Sequence, residues 1–133
     1  MANKSKKIHS EISAGELLDK MSILEIKLQK ISNKDSLGEV KKEYQILKDT
    51  QKSMIEFTDE IKSLFDAIKK VNLTLWDIED KIRICEKNKD YGEVFIKLAR
   101  GVYLSNDKRS KIKSKINTIL GSNIKEVKEY VNY

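Results

Sequence analysis

The chain contains no proline, so no position is barred from a helix interior by a fixed φ or a missing backbone N–H. There is one cysteine, Cys85, which excludes an intrachain disulfide. It falls on an apolar stripe, where a thiol behaves as a small hydrophobe, and a reducing compartment fits. The sole histidine is His9, in the basic N-terminal stretch MANKSKKIHSEIS, so a histidine–carboxylate metal site is not expected. There is no glycine-rich phosphate loop, no nucleophile–base arrangement and no Cys/His zinc spacing. No apolar run approaches the roughly 20 residues that span a bilayer, and the basic N-terminus is not followed by the apolar core of a secretory signal. The expectation is a cytoplasmic protein with no membrane span.

What is present is charge. Within 133 residues, 21 acidic side chains are interleaved with 27 basic ones for a net charge of +6. Such mixing is characteristic of solvated helix faces. The runs KRSKIKSK and KSKK could meet phosphates, but few aromatics and no reading motif argue against nucleic acid as a partner. Of the 27 basic residues only Arg83, Arg100 and Arg109 are arginine. In a lysine-dominated chain an arginine marks a need for a planar, bidentate donor.

Apolar residues recur at three- and four-residue spacing throughout, without a β pattern, which predicts an all-α protein. The expected architecture is a compact bundle of five to six helices over residues 13–133, one domain by length, preceded by a basic arm over 1–12. Ser13 and Glu16 read as a capping box opening a helix to about Ile31. That helix is apolar on more than one side, through Leu17, Leu18, Met21, Ile23, Leu24 and Ile26, and so belongs at the centre of the bundle. Its Lys20, Glu25 and Lys27 then sit in an apolar setting. Asp35 or Ser36 reads as the next cap. Residues 36–87 form either one very long helix or two divided near 50–58. The spacing Leu64, Ile68, Val71, Leu75, Ile78, Ile82, Cys85 is heptad-like and suggests packing against a helix of the same chain or of a second copy. KNKDYG is a loop, and EVFIKLARGVYL a short helix whose Gly101 permits close approach of another. Ser105 or Asn106 would cap the next helix, Gly121 would end it, and Ser122 would cap a last one.

Beside the heptad stripe runs a polar line, Asn72, Trp76, Glu79, Arg83 and Glu86, on one helix face. It reads as the wall of a cleft, as a surface salt-bridge ladder, or as a buried network that fixes helix pairing. Arg109, Lys113 and Asn117 step by four beside the Ile112–Ile116–Ile119 face. If SND began a helix, its N-terminus with Arg100 could hold a phosphate or carboxylate, though Asp107 can satisfy those donors itself. The pairs Glu16/Asp19 and Asp77/Asp80 have a spacing that can aim two carboxylates at one ion, but such pairs are frequent by chance in a chain this charged.

The segments SAGELLDKMSILEIK, VNLTLWDIEDKIR and FIKLARGVYLSNDKRSKIKSKIN…GS resemble the hallmark segments of a family of small, functionally uncharacterised bacterial proteins of this length. The resemblance lends no catalytic residues, and the cofactor is left unknown. It implies that Glu16, Lys20, Glu25, Lys27, Trp76, Glu79, Arg83, Arg100, Tyr103, Asn106, Asp107 and Arg109 are family features, and it hints at a setting near surface-polysaccharide assembly. The expected function is binding of a small anionic or phosphorylated ligand (metabolite, sugar or nucleotide) in a polar cleft. That cleft is lined by Asn72, Trp76, Glu79, Arg83, Arg100, Tyr103, Asn106, Asp107, Arg109 and Lys113, and backed by Glu16, Lys20, Glu25, Lys27 and Glu86. The alternative is a structural or interaction module whose charged network sets helix pairing or a homodimer. Whether a reaction is catalysed is left open.

Overall fold

The hydroxyl of Ser13 accepts a hydrogen bond from the Glu16 amide at 3.1 Å and starts the first helix. In the computed structural model, which describes residues 6–133, that helix is α1 (Ala14–Lys30). It is followed by α2 (Lys34–Met54), α3 (Asp59–Lys87) and α4 (Glu93–Leu120), and the described residues contain no strand. Asn33, two to three residues earlier than the expected Asp35 or Ser36, caps α2 through its side chain. Thr58 caps α3 in the same way. Residues 55–58 interrupt the long periodic stretch, which is therefore two helices. Gly121 ends α4 in the left-handed conformation, φ 59° and ψ 43°, which glycine adopts without steric cost.

The expectation of five to six helices exceeds the four found. The stretch containing Ser105 and Asn106 is continuous helix, because α4 packs against α3 and that packing outweighs the weak helix propensity of two residues. No helix N-terminus exists at 105–107, so the anion site imagined there is absent. The last helix is missing too. Ser122 accepts a hydrogen bond from the Ala14 amide at 3.0 Å and donates to the Ile124 carbonyl at 2.8 Å, and residues beyond it are non-helical. A helix of so few residues is marginal without a packed face. The arm expected over 1–12 lies partly outside the described residues; Lys6 to Ile12 are exposed and without helix.

α1 is central: it packs on α2, α3 and α4, whereas α2 touches α1 alone. Leu17, Leu18 and Met21 of α1 meet Ile61 and Phe65 of α3 and Ile116 of α4 in the main core. At about 1.5 Å per residue, the 17-residue α1 cannot cover the 29 and 28 residues of α3 and α4. From Trp76 to Leu104 only Cys85 is buried, so that part of the antiparallel α3–α4 hairpin stands out from the core as a two-helix arm. Among the described residues no helix is long and apolar enough to cross a membrane.

Two glycines should respond oppositely to alanine. A Cβ on Gly15 would lie 2.6 Å from the Lys113 carbonyl oxygen, whereas one on Gly38 meets nothing within 4 Å. Gly15→Ala should destabilise by about 2 kcal/mol, and Gly38→Ala should stabilise by about 0.5–1 kcal/mol. Chemical denaturation of the two variants measures both.

Candidate functional site

Helix starts carry amides without intrahelical partners, and the first turn of α1 places three of them against side chains. Ala14 donates to Ser122, Gly15 to Oδ1 of Asn117 at 2.6 Å, and Glu16 to Ser13. Gly15 allows this docking because a side chain there would strike the α4 backbone. Two of the acceptors are Asn117, in the last turn of α4, and Ser122, two residues beyond its end. The start of α1 is thereby fixed on the end of α4.

One and a half turns further along α1, Asp19 is completely buried. An ionised carboxylate in that position requires partners, and it has them. Arg109 of α4 grips it bidentately, Nε to Oδ1 at 2.8 Å and Nη2 to Oδ2 at 2.5 Å. Asn72 of α3 donates from Nδ2 to Oδ1 at 2.9 Å and to the Ser22 hydroxyl at 2.8 Å. Ser22 donates to the Asp19 carbonyl at 2.7 Å. The Lys113 ammonium stands 4.0 Å from Asp19 Oδ2 and 2.9 Å from Glu16. One carboxylate thus ties three helices together. The hydrogen bonds to Asp19 hold the Arg109 guanidinium above its ordinary pKa against the opposing effect of its own burial.

Lys113 has a third carboxylate partner, Glu126 at 2.9 Å, which lies in the non-helical tail after α4. Burial pulls the Lys113 ammonium down, but the hydrogen bonds to Glu126 and Glu16 outweigh it and its pKa is raised. The hydrogen bond from Lys113 holds the Glu126 carboxyl below its usual range. Further on, the Tyr133 hydroxyl donates to Asp107 and its ring meets Tyr103 edge-on, centroids 5.7 Å apart. Between these anchors the tail bridges a cleft of about 620 Å³ lined by Val102, Tyr103, Asn106, Asp107, Lys128, Tyr130, Val131 and Tyr133. Pockets of this size accept small molecules. Asn106 also accepts from Arg109 Nη1 at 3.5 Å, so the buried network lies one side chain behind the cleft wall. A separate tie, Glu25 with Lys69 at 3.0 Å and Tyr44 at 2.8 Å, joins α1 to α3 and α2. Burial and the Glu25 carboxylate push the Tyr44 phenol up to about 12.

The residues singled out from the sequence separate into groups. Asn72, Arg109, Lys113 and Glu16 converge, and they do so on Asp19. Tyr103, Asn106 and Asp107 line the cleft. The common cleft expected to hold Trp76, Arg83, Arg100 and Arg109 does not form. Arg83 is 70% exposed and pairs with Glu79 of its own helix. Arg100 reaches only Tyr103, at 3.4 Å. Glu86 accepts from Tyr91, Trp76 is half-buried on the arm, and Lys20 is a surface partner of Glu43 at 3.8 Å. Lys27 is half-buried beside α2. Neither Glu79, Arg83, Glu86 nor Trp76 lines the cleft. Asp19, Ser22, Glu126, Lys128, Tyr130 and Tyr133 were not foreseen as site residues. The signal for Asp19 is an acid at a core-facing position beside Leu18 and one turn from Ser22. Nothing local marks the tail. Glu16 and Asp19, considered as a metal pair, are instead engaged by Lys113 and Arg109.

Removing one partner of the buried pair leaves the other charged and unmatched. Asp19→Asn should lower stability by about 3 kcal/mol, and Arg83→Lys by less than about 0.5 kcal/mol, as expected for an exposed position; urea unfolding compares them. The tail contact should have a broad pH window. A lowered Glu126 pKa favours docking above the ordinary carboxylate range and releases it as pH falls through the lowered value. A raised Lys113 pKa favours docking below the ordinary lysine range and releases it as pH rises through the raised value. NMR shifts of tail amides should therefore be flat between about pH 6 and 9 and move below about pH 4. Glu126→Gln should abolish the acid transition.

Residues 8–133 match a family described as a family of unknown function (DUF6165), and the chain belongs to that family. No curated protein matches the chain, and no solved structure does.

Proposed function

We propose that this family member binds a small hydroxyl-rich or phosphorylated ligand, a sugar or nucleotide, in the cleft between α4 and the tail. The observation that carries the reading is the convergence of Tyr103, Tyr130 and Tyr133 with Asn106, Asp107 and Lys128 around one space of about 620 Å³. Tyrosine rings offer flat apolar faces with a polar tip. The amide and carboxylate offer the acceptor and donor positions that hydroxyl groups require. Lys128 is the ammonium lining the cleft and suits a single phosphate. Arg109 supports the site from behind through Asn106, a positioning role. This narrows the expected site to Tyr103, Asn106, Asp107 and, at one remove, Arg109 and Lys113.

A second reading has its own support. The Asp19 carboxylate is saturated by Arg109 and Asn72, as expected of a network that selects which helices pair rather than one awaiting a ligand. On that reading the chain is an interaction module: the heptad face of α3, none of whose residues is exposed, is used up in packing within the chain, and the outward surface of the α3–α4 arm is left to meet a partner.

A thermal-shift screen distinguishes the two. Glucose 1-phosphate, UDP-glucose and AMP at millimolar concentration should include at least one compound that raises the melting temperature. Tyr130→Ala and Asn106→Ala should remove that rise with little change in the unliganded protein. If none of the three shifts the melting temperature, or if the shift persists in both variants, the cleft reading is wrong and the module reading stands.

A further inference from the structure

We infer that the outer face of the α3–α4 arm docks an amphipathic helix of another protein, one whose apolar stripe is flanked by carboxylates. This inference does not depend on the ligand cleft, with which the groove shares no lining residue. A groove of about 700 Å³ runs between the two helices, lined by Ile78, Ile84, Leu98 and Gly101, among others. Ile84 and Val94, one from each helix, are 57% and 62% exposed along it. The helices approach closely at its inner end because Gly101 has no side chain: a Cβ there would lie 2.9 Å from Cδ1 of Ile78. A two-helix surface of this kind accepts a third amphipathic helix, read as apolar anchors at i, i+3, i+4 and i+7.

Charge decides the occupant. Lys81 lines the groove from α3 and Lys97 from α4, while the one lining carboxylate, Asp90, belongs to the loop at the outer end. A helix lying along the groove meets an ammonium group on either side near the middle of its length. Acidic flanks match that rim, and rim charges act chiefly on partner choice. A second copy fits poorly. The two lysines sit near mid-groove, so a twofold pairing of this face on itself would gather four ammonium groups around the axis.

The test uses the full chain and two synthetic 18-residue helical peptides with the same leucine stripe, one flanked by glutamates and the other by lysines. Fluorescence anisotropy at low salt reads the binding. The glutamate peptide should bind at least about tenfold more tightly than the lysine peptide, since each rim pair contributes modestly and reversal adds repulsion. The double variant Lys81→Glu/Lys97→Glu should reverse the preference, and Val94→Asp should weaken both peptides. All three positions are exposed, and circular dichroism checks that the helices persist. Equal binding of the two peptides, binding that survives Val94→Asp, or no binding of either would overturn the inference. So would a wild-type dimer in sedimentation velocity that Val94→Asp makes monomeric, because the groove would then be occupied by a second copy.

Discussion

The burial of one carboxylate governs how this fold is assembled. Asp19 lies on the central helix with no exposure to solvent, and a bare ion there would be strongly destabilising. The bundle is therefore restricted to arrangements that bring a bidentate cation and an amide to the same point. Arg109 from α4 and Asn72 from α3 do so from helices that run antiparallel on either side. A lysine in place of Arg109 could not supply the planar pair of N–H groups. Sliding α1 by a turn against either neighbour would leave the carboxylate, the guanidinium or the amide without its partner, a penalty that adds to the apolar mismatch in the core.

That constraint organises the rest of the proximal end. With Asp19 held, the start of α1 meets the end of α4, where Gly15 permits contact with the α4 backbone and Asn117 and Ser122 take up its first amides. Ser122 is thereby committed to α1 and does not begin a new helix. The chain after it crosses α4 as a strap, anchored by Glu126 on Lys113 and by Tyr133 on Asp107 and Tyr103. The cleft under the strap exists because of this commitment. The same residues arranged as a packed terminal helix would have filled it.

The distal end obeys different physics. Beyond Asn72 and before Arg109 the hairpin has no third helix, and its seam is half-buried along most of its length. Lysines and exposed aliphatic side chains alternate there without the cross-helix hydrogen bonds that saturate the proximal end. The groove between the two helices and the cleft under the tail meet α4 at consecutive residues, Gly101 and Val102, and share no lining residue.

Much of the helical frame was legible in local sequence. The cap at Ser13, the glycine stop at Gly121, the close approach at Gly101 and the central place of α1 all follow from short-range sterics and periodicity, whereas the same periodicity leaves open whether residues 36–87 form one helix or two. Those interactions span a few residues and are written in adjacent letters. The continuity of α4 through Ser105 and Asn106 was not legible, since helix packing overrode local propensity. The candidate site was legible in part. Arg109 and Lys113 stood out as cations beside an apolar face, and Tyr103, Asn106 and Asp107 as polar positions on the same helix. Their hub, Asp19, reads only as one of a chance pair of acids with Glu16, because its partners Asn72 and Arg109 lie 53 and 90 positions away.

The all-helical character of the chain and the interior place of its first helix are readable from local pattern, because helix formation and its termini depend on neighbours within a turn or two. That Arg109, and not Arg83 or Arg100, enters the interior, and that the last residues become a strap rather than a helix, emerges only once the helices are packed. Both outcomes depend on which polar groups are desolvated together, among them groups 53 to 108 positions apart in the chain.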